Sequence, residues 1–416
     1  MRLVEQHIIS KRNIFWKECD RLCFASKNLY NQALYRVIEH YKAYGKYKNY
    51  NKLDKELSSE NQVDYRALPA KVSQQTLRLL DYDMRSYFEA LNKYRISQEG
   101  FKAEPELPRY KNKLKGRSVA TFTEQAISSV ELKNGFAKLS MSEIRIRTEK
   151  KVQQVRIIPL RNGSYQIEVV YLVDDTELIK NERFAGVDNG INNLAAVVTN
   201  CELRPMLING KPLKAINQFY NKKLAEMKAE LPLLSKEKLS KTGNRIQQGY
   251  SKKTNNLTHK RNCKIKDYMH KASRRLVNIL KQANISIVVI GQNKQWKTGV
   301  NIGTKNNQKF VSIPHAMFIN MLVYKLRLCG IDAILREESY TSKCSFLDNE
   351  SIEKHDVYMG RRISRGLFKT ASGKKWNADC NGAANILKKE FPNAFCNGLE
   401  ALVVSPTKVK FCKNVA

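Results

Sequence analysis

Residues 285–291 read ISIVVIG, an apolar run of strand length rich in β-branched residues. A strand with one wet face alternates apolar and polar residues, because successive side chains point to opposite sides. A near-continuous apolar strand without that alternation is of the kind buried on both faces. The surrounding sequence supplies the parts. Pro314 to Cys329 has helical spacing, IDAILREE (331–338) is a further strand, and Trp376 to Glu390 is a last helix with Asp379 near its start. Upstream, RFAGVD is a short apolar strand ending in Asp188, NLAAVVTN is a second and ELRPMLING a third, followed by a long basic, helix-prone stretch from Lys214 to Gln282. Strands in a meander, then strands alternating with helices, indicate a mixed α/β sheet over residues 183–416.

The first part of the chain reads differently. Residues 15–95 are helical: Tyr30, Leu34, Val37, Ile38 and Tyr41 recur at helical spacing, as do Val72, Leu80, Met84, Phe88 and Leu91. Between them YKAYGKYKNYNKLDK interleaves Tyr with Lys, a pattern that suits phosphate contacts with base stacking and equally an ordinary basic linker. Residues 96–182 carry two hairpin signals, Asn134-Gly135 and Asn162-Gly163, each between alternating residues. A small β-barrel or sheet with the helical block inserted fits, giving domains at 1–182 and 183–416.

The charge narrows the function. Lys plus Arg number 74 against 39 Asp plus Glu, a net +35. Such an excess resists compaction unless a polyanion offsets it, and nucleic acid bound through its phosphates is the natural partner. No apolar run approaches the roughly 20 residues of a spanning helix, and MRLVEQHIISKRN lacks a signal peptide's apolar stretch. The nine cysteines are scattered, with no CxxC pair, which predicts a reducing, cytoplasmic setting and no disulfide framework.

Two acids stand out. Asp188 lies in AGVDNGINN and Asp379 in WNADCNGAANIL. Taken singly, a turn aspartate and a helix N-cap account for them. Taken together, they form a known constellation. GVDNGINNLAAVV resembles the first RuvC motif of the TnpB transposon-encoded proteins, relatives of the type V CRISPR effectors; WNADCNGAANIL resembles their third motif, and KIKDYMHKASRRLV (264–277) their bridging helix, in matching order.

The resemblance implies a multidomain α+β chain. It would have a helical recognition domain (helices about 15–95) inserted in a β-barrel wedge domain (1–182), and an RNase H-like α/β nuclease domain (183–416). It implies an RNA-guided DNA endonuclease that cuts beside a short flanking motif with Mg²⁺ or Mn²⁺. The partners would be a guide RNA with a structured scaffold and a double-stranded DNA target, with no membrane. The protein would act as monomer or dimer on one RNA in the bacterial cytoplasm, near the nucleoid. Phosphodiester hydrolysis needs an activated water on one side and a stabilised alkoxide on the other, and two divalent ions about 4 Å apart serve both. Asp188 would bridge the ions and Asp379 complete one site.

A third carboxylate is usual at the end of the central strand, yet here that strand reads VVIGQNKQW, with Gly291 and Gln292 at the place. Either the protein is a nuclease-inactive, RNA-guided DNA-binding repressor, or the acid has moved to the neighbouring strand. Glu337 and Glu338 end IDAILREE, and relatives with IGxNKxW carry a relocated glutamate there, which favours a live site. Strand alternation lets only one of the two face the metals; Glu338 is favoured, with Glu337 as the substitute. A transposase acting on transposon ends without a guide is the remaining rival, and no HUH-type tyrosine motif supports it.

Relatives often hold a zinc ribbon between the second and third motifs. Here YTSKCSFLDNE has Cys344 alone, and GLFKTASGKKWNAD has no cysteine. Structural zinc needs about four ligands, so no zinc is predicted. Residues 343–375 would be an insert stapled by Phe346, Leu347, Tyr358 and Leu367, whose basic RRISRGLFK, with Arg361 and Arg362, helps load a DNA strand. Lys264, Lys271, Arg274 and Arg275 can line one side of a helix toward the phosphates of a guide–target heteroduplex. Lys71 and Gln75, four apart on one helical face, match positions that read the flanking motif in relatives. His270 reads as a packing or phosphate contact.

Overall fold

The computed structural model describes residues 1–229, 251–293, 303, 312–396 and 405–410. The chain divides into two compact units, Met1–Asp174 and Asp175–Ala416. The division falls before the boundary read from the sequence at 182/183. The intervening segment is bonded into the second unit: the Ile179 N–H donates to the Gly330 carbonyl at 2.7 Å and the Thr176 hydroxyl to the Leu328 carbonyl at 3.3 Å.

In the first unit, α1 (Trp16–Tyr44), α2 (Tyr50–Ser59), α3 (Val63–Arg66) and α4 (Ala70–Ile96) occupy the region read as helical. Leu22, Leu29 and Leu34 of α1 and Leu77, Leu80 and Met84 of α4 share one core with Phe122, Val155, Ile157, Ile167 and Val169 of a sheet. That sheet has four antiparallel strands in the order β1 (Arg2–Ile9), β6 (Tyr165–Leu172), β5 (Val152–Pro159), β2 (Ala120–Thr123). It has two edges, β1 and β2, rather than the closed ring of a barrel. β1 was not legible as a strand, although it pairs with β6 along its whole length, from Arg2 opposite Leu172 to Ile9 opposite Tyr165.

Of the two hairpin signals, Asn162-Gly163 joins β5 to β6, with Pro159 opposite Tyr165. Asn134-Gly135 does not make a hairpin. Ser128 caps α5 (Ser129–Lys133) by accepting the Glu131 N–H at 3.4 Å, so Asn134-Gly135 ends a short helix. The following β3 (Phe136–Lys138) pairs instead with β4 (Arg145–Arg147). The Ser-Ser-Val-Glu spacing at 128–131 is a helix-start signal that outweighed the turn dipeptide.

The second unit is built on a six-stranded sheet. β7 (Phe184–Asn189), β8 (Asn193–Thr199) and β9 (Met206–Asn209) form an antiparallel meander; β10 (Ile287–Gly291) lies parallel to β7, and β11 (Asp332–Arg336) parallel to β10. β13 (Thr407–Val409), from a tail with no evident role in the sequence, adds parallel to β9. The basic stretch holds α6 (Lys211–Ala229) and α7 (Lys252–Gln282), and its residues 230–250 lie outside the described residues. α8 (His315–Arg327) precedes β11 in the chain.

Both faces of the sheet are covered. Val288 and Ile290 pack with Met269 and Leu276 of α7 and Phe318 and Leu322 of α8. Val289, between them, points the other way onto Ile386 and Leu387 of α9 (Ala378–Glu390). All three are fully buried, and each such side chain is worth about 1.5–3 kcal/mol relative to exposure. This is why ISIVVIG tolerates no alternation. β11, read as another apolar strand, is instead the sheet edge, and its Leu335 remains 51% exposed.

Candidate active site

Asp188 is the penultimate residue of β7, inside the strand and not in the turn that follows. Its carboxylate meets α9 at Gly382. A Cβ there would lie 2.6 Å from Asp188 Oδ2, so only glycine lets the helix pass over the acid. Asp379, in the first turn of the same helix, is not the N-cap. Asn377 takes that role, its Oδ1 accepting the N–H groups of Asp379 at 2.9 Å and Cys380 at 3.1 Å. The Asp379 carboxylate is thereby left for other partners. Asn193 Nδ2 donates to Oδ2 at 2.7 Å, and the Arg362 guanidinium donates to Oδ1 at 3.1 Å.

The two neighbouring glutamates part company. β11 stops at Arg336, so both lie in the turn beyond it. Glu337 is exposed and engaged elsewhere: Ser339 Oγ donates to it at 2.5 Å and Lys389 Nζ at 3.3 Å, which together hold its carboxyl below the usual range. Glu338 turns inward over Gly291. Ile290 of β10 pairs with Val187 of β7, so Gly291 comes beside Asp188. Asn293 grips Glu338 twice, accepting its backbone N–H at 3.0 Å and donating Nδ2–H to Oε2 at 3.1 Å. Oε1 is buried with no hydrogen-bond partner.

The electrostatics join the three acids. Burial first, then Glu338 and Asp379, push the Asp188 carboxyl well above its ordinary range, and Arg362 opposes them. Burial, then Glu337, raises Glu338 to about 7. A carboxyl raised by two other acids, one of which has an orphaned buried oxygen, marks a place that a divalent cation could stabilise. Hard oxygen donors suit Mg²⁺ or Mn²⁺. Among the described residues no three acidic, histidine or cysteine side chains already close around one point as a cage.

A cleft of about 750 Å³ opens in front of Asp188 and Asp379, with Lys211, Arg362, Arg365 and Lys408 on its walls. It is anionic at the floor and cationic at the rim. The rim is what a polyanionic strand needs to be drawn over the acids. Arg361 and Arg362 both lie on β12 (Arg361–Ser364), every residue of which is exposed. Arg362 belongs to the acid cluster itself, a finer placement than a basic face on the insert.

The insert is organised around Phe346, Phe368 and Trp376; Leu347 packs against them, while Tyr358 and Leu367 are only half-buried. Around Cys344, polar grips from α9 hold the chain. Asn381 Nδ2 donates to the Cys344 carbonyl at 2.8 Å, and Asn385 Nδ2 to those of Thr341 and Cys344 at 2.9 and 2.8 Å. The buried Cys344 thiol points at the Glu353 carbonyl, 3.6 Å away.

Lys264, Lys271, Arg274 and Arg275 are all exposed on α7, which covers the sheet face opposite α9; Lys271 pairs with Asp267 at 2.9 Å. His270 sits half-buried on the same helix, and its carbonyl accepts from Lys325 at 2.9 Å. In the first unit Lys71 and Gln75 are half-buried near the start of α4. Sequence reasoning missed Asn193, Asn293, Lys211 and Lys408. The first two stand in the quoted strand-end motifs, where asparagine reads equally well as turn chemistry.

A family model described as a probable transposase, OrfB_IS605, matches residues 166–297. A model of the Cas12f1-like TNB domain matches residues 315–386. No curated protein matches the chain. Similar solved structures include a Cas12f1–sgRNA–target DNA complex, 15% identical over 92% of this chain and 98% of that one, TM-score 0.36. Another is the mini RNA-guided endonuclease CRISPR-Cas phi3, 10% identical over 98% and 94%, TM-score 0.43. A third is C2c1 of Alicyclobacillus acidoterrestris with single-guide RNA, 10% identical over 90% and 69%, TM-score 0.33.

Proposed function

Because this chain belongs to the TnpB family, we propose that it is an RNA-guided DNA endonuclease whose second unit is an RNase H-like nuclease domain. What supports the reading is that Asp188, on a strand, is close enough to Glu338 in a turn and Asp379 on a helix to feel both charges, and that Asp188 and Asp379 line a cleft with a cationic rim. Their sequence separation makes an accidental acidic patch a poor account. So does the desolvation of Asp188 and Glu338, a stability cost that a site for a cation would offset.

In this reading Asp188, Glu338 and Asp379 hold divalent metal, Mg²⁺ or Mn²⁺, which when bound supplies charge stabilisation to the attacking and leaving oxygens. The chain's own residues do the rest. Asn193 holds one oxygen of Asp379 and leaves the other to Arg362. Arg362 exchanges Asp379 for a phosphate of the entering strand, and Lys211, Arg365 and Lys408 hold the flanking phosphates in the cleft. Lys264, Lys271, Arg274 and Arg275 bind the backbone of the guide–target duplex. Lys71 and Gln75 read the flanking motif in the first unit, the family's recognition and wedge region.

The test is cleavage by the purified protein with its co-purified RNA on a library of target and flank sequences, with and without Mg²⁺. Guide-directed, metal-dependent cutting lost in Asp188→Ala supports the proposal. Guide-directed binding without cutting at any metal concentration would replace it with the repressor reading.

A further inference from the structure

The turn that carries Glu338 is not free-standing. The end of β10 is shaped around it. A Cβ at position 291 would overlap Glu338 Oε1, lie 2.8 Å from its Cγ and lie 2.6 Å from Ile386 Cδ1. Gly291 is therefore the space in which the glutamate lies. The Gly291 carbonyl is fixed from the other side by Asn189 Nδ2 at 3.0 Å, one residue beyond Asp188. The Gln292 N–H donates to the Arg336 carbonyl at 2.8 Å and so prolongs the β10–β11 pairing up to the turn. Asn293 then makes its two bonds to Glu338. Their chemistry fixes the amide's orientation, since a backbone N–H needs an acceptor and a carboxylate oxygen needs a donor. Lys389 of α9 closes the far side, donating to the Glu337 carbonyl at 3.2 Å and to Ser339 Oγ at 2.9 Å, one residue either side of Glu338.

We propose that Gly291 and Asn293 form a socket for Glu338, with Asn293 its positioning residue, and that a carboxylate at 291 and one at 338 compete for the same point. The proposal rests on the reading of Glu338 as a catalytic carboxylate. The steric half follows from reach: the oxygen that a Cβ at 291 would overlap lies within the span of an aspartate carboxylate built on that Cβ. A chain can thus place its acid at the strand end or in the turn, and each choice excludes the other. The electrostatic half follows from Oε2, which is bonded to Asn293 while Oε1 is left for a metal. Loss of such an outer partner costs about 10–100-fold in metal affinity or activity.

The test uses the guide-loaded protein and four variants: Glu338→Ala, Asn293→Ala, Gly291→Asp, and Gly291→Asp with Glu338→Ala. Single-turnover cutting is measured against Mn²⁺ concentration, with guide-dependent target binding as the control. A second readout is independent of cutting. Fe²⁺ loaded in place of Mg²⁺, with ascorbate and peroxide, cuts the polypeptide near bound metal, and mass spectrometry locates the breaks. Asn293→Ala should bind target normally, need about 10-fold or more Mn²⁺, and lose the breaks near residue 338. Gly291→Asp alone should be crippled, and the double variant should cut at least about 10-fold faster than Glu338→Ala.

If Glu338→Ala cuts normally, the catalytic reading falls. If Glu338→Ala is dead while Asn293→Ala cuts with wild-type Mn²⁺ dependence and breakage, the socket is overturned and the catalytic reading stands. A double variant that binds target but cuts no better than Glu338→Ala overturns the competition; if it fails to bind guide RNA, the Asn293 arm decides.

Discussion

Replacing Glu338 by glutamine should abolish cutting and, without metal, make the protein more stable. Burial raises this carboxyl from 4.5 to about 7. Between those values the folded state binds more protons than the unfolded state, so stability falls as pH rises through the window. The cost is absent below about pH 4.5 and complete above about pH 7. At about 1.4 kcal/mol per pH unit it amounts to roughly 3 kcal/mol. Glutamine cannot ionise and escapes this cost. It keeps an oxygen for the Asn293 amide, but its own NH₂ falls where Oε1 has no partner, an offset of about 1 kcal/mol. A net gain of about 2 kcal/mol should raise the melting transition of the second unit by about 4–8 °C at pH 8 in EDTA. At pH 4.5 the gain should vanish. Calorimetry at the two pH values, with and without Mg²⁺, measures it. A variant no more stable than the parent at pH 8, or equally stabilised at both pH values, would refute the reasoning.

Glu337→Ala should cut within about 3-fold of the parent, because its carboxylate is exposed and bound to Ser339 and Lys389; Glu338→Ala should lose at least about 100-fold, read by single-turnover cleavage. Gly382→Ala places a methyl 2.6 Å from Asp188 Oδ2; cutting should be lost while guide RNA still co-purifies. Phe368→Ala empties the core of the insert and should cost about 3–5 kcal/mol in urea unfolding of the second unit. Replacing Lys264, Arg274 and Arg275 together by alanine should weaken heteroduplex binding and flatten its log–log salt dependence by about 3.

The sheet was legible where periodicity had one explanation. ISIVVIG admits no exposed face, and the structure covers both. IDAILREE looked the same, but β11 is an edge whose apolar residues are half covered, a distinction that depends on neighbours and not on the strand's own letters. Strand β1 escaped notice because its alternation begins at the first residues, where no turn signal marks an entry. The acids were legible in part. Asp188 and Asp379 stood out through their surroundings, yet Asp379 as a cap and as a free carboxylate look alike until Asn377 is seen to cap the helix. Alternation was the argument for one glutamate facing in, but the pair lies beyond the strand where alternation does not apply; Asn293 and Lys389, 45 and 51 residues from Glu338, hold the turn that parts them. Such long-range hydrogen bonds leave no periodic trace.

Helix α9 has a consequence for how the protein tolerates variation. Within one stretch, Asn377 caps, Asp379 supplies an acid, Asn381 and Asn385 grip the turn after Glu338, Gly382 clears Asp188, and Ala383 and Ala384 are buried against the sheet. Almost no position there is spare, whereas Lys354 to Tyr358 are largely exposed and hold the chain by few bonds. Mutational sensitivity should therefore be crowded into about three helical turns. A library aimed at altering DNA entry without losing the nuclease belongs in the insert, several residues from the helix that no substitution leaves indifferent.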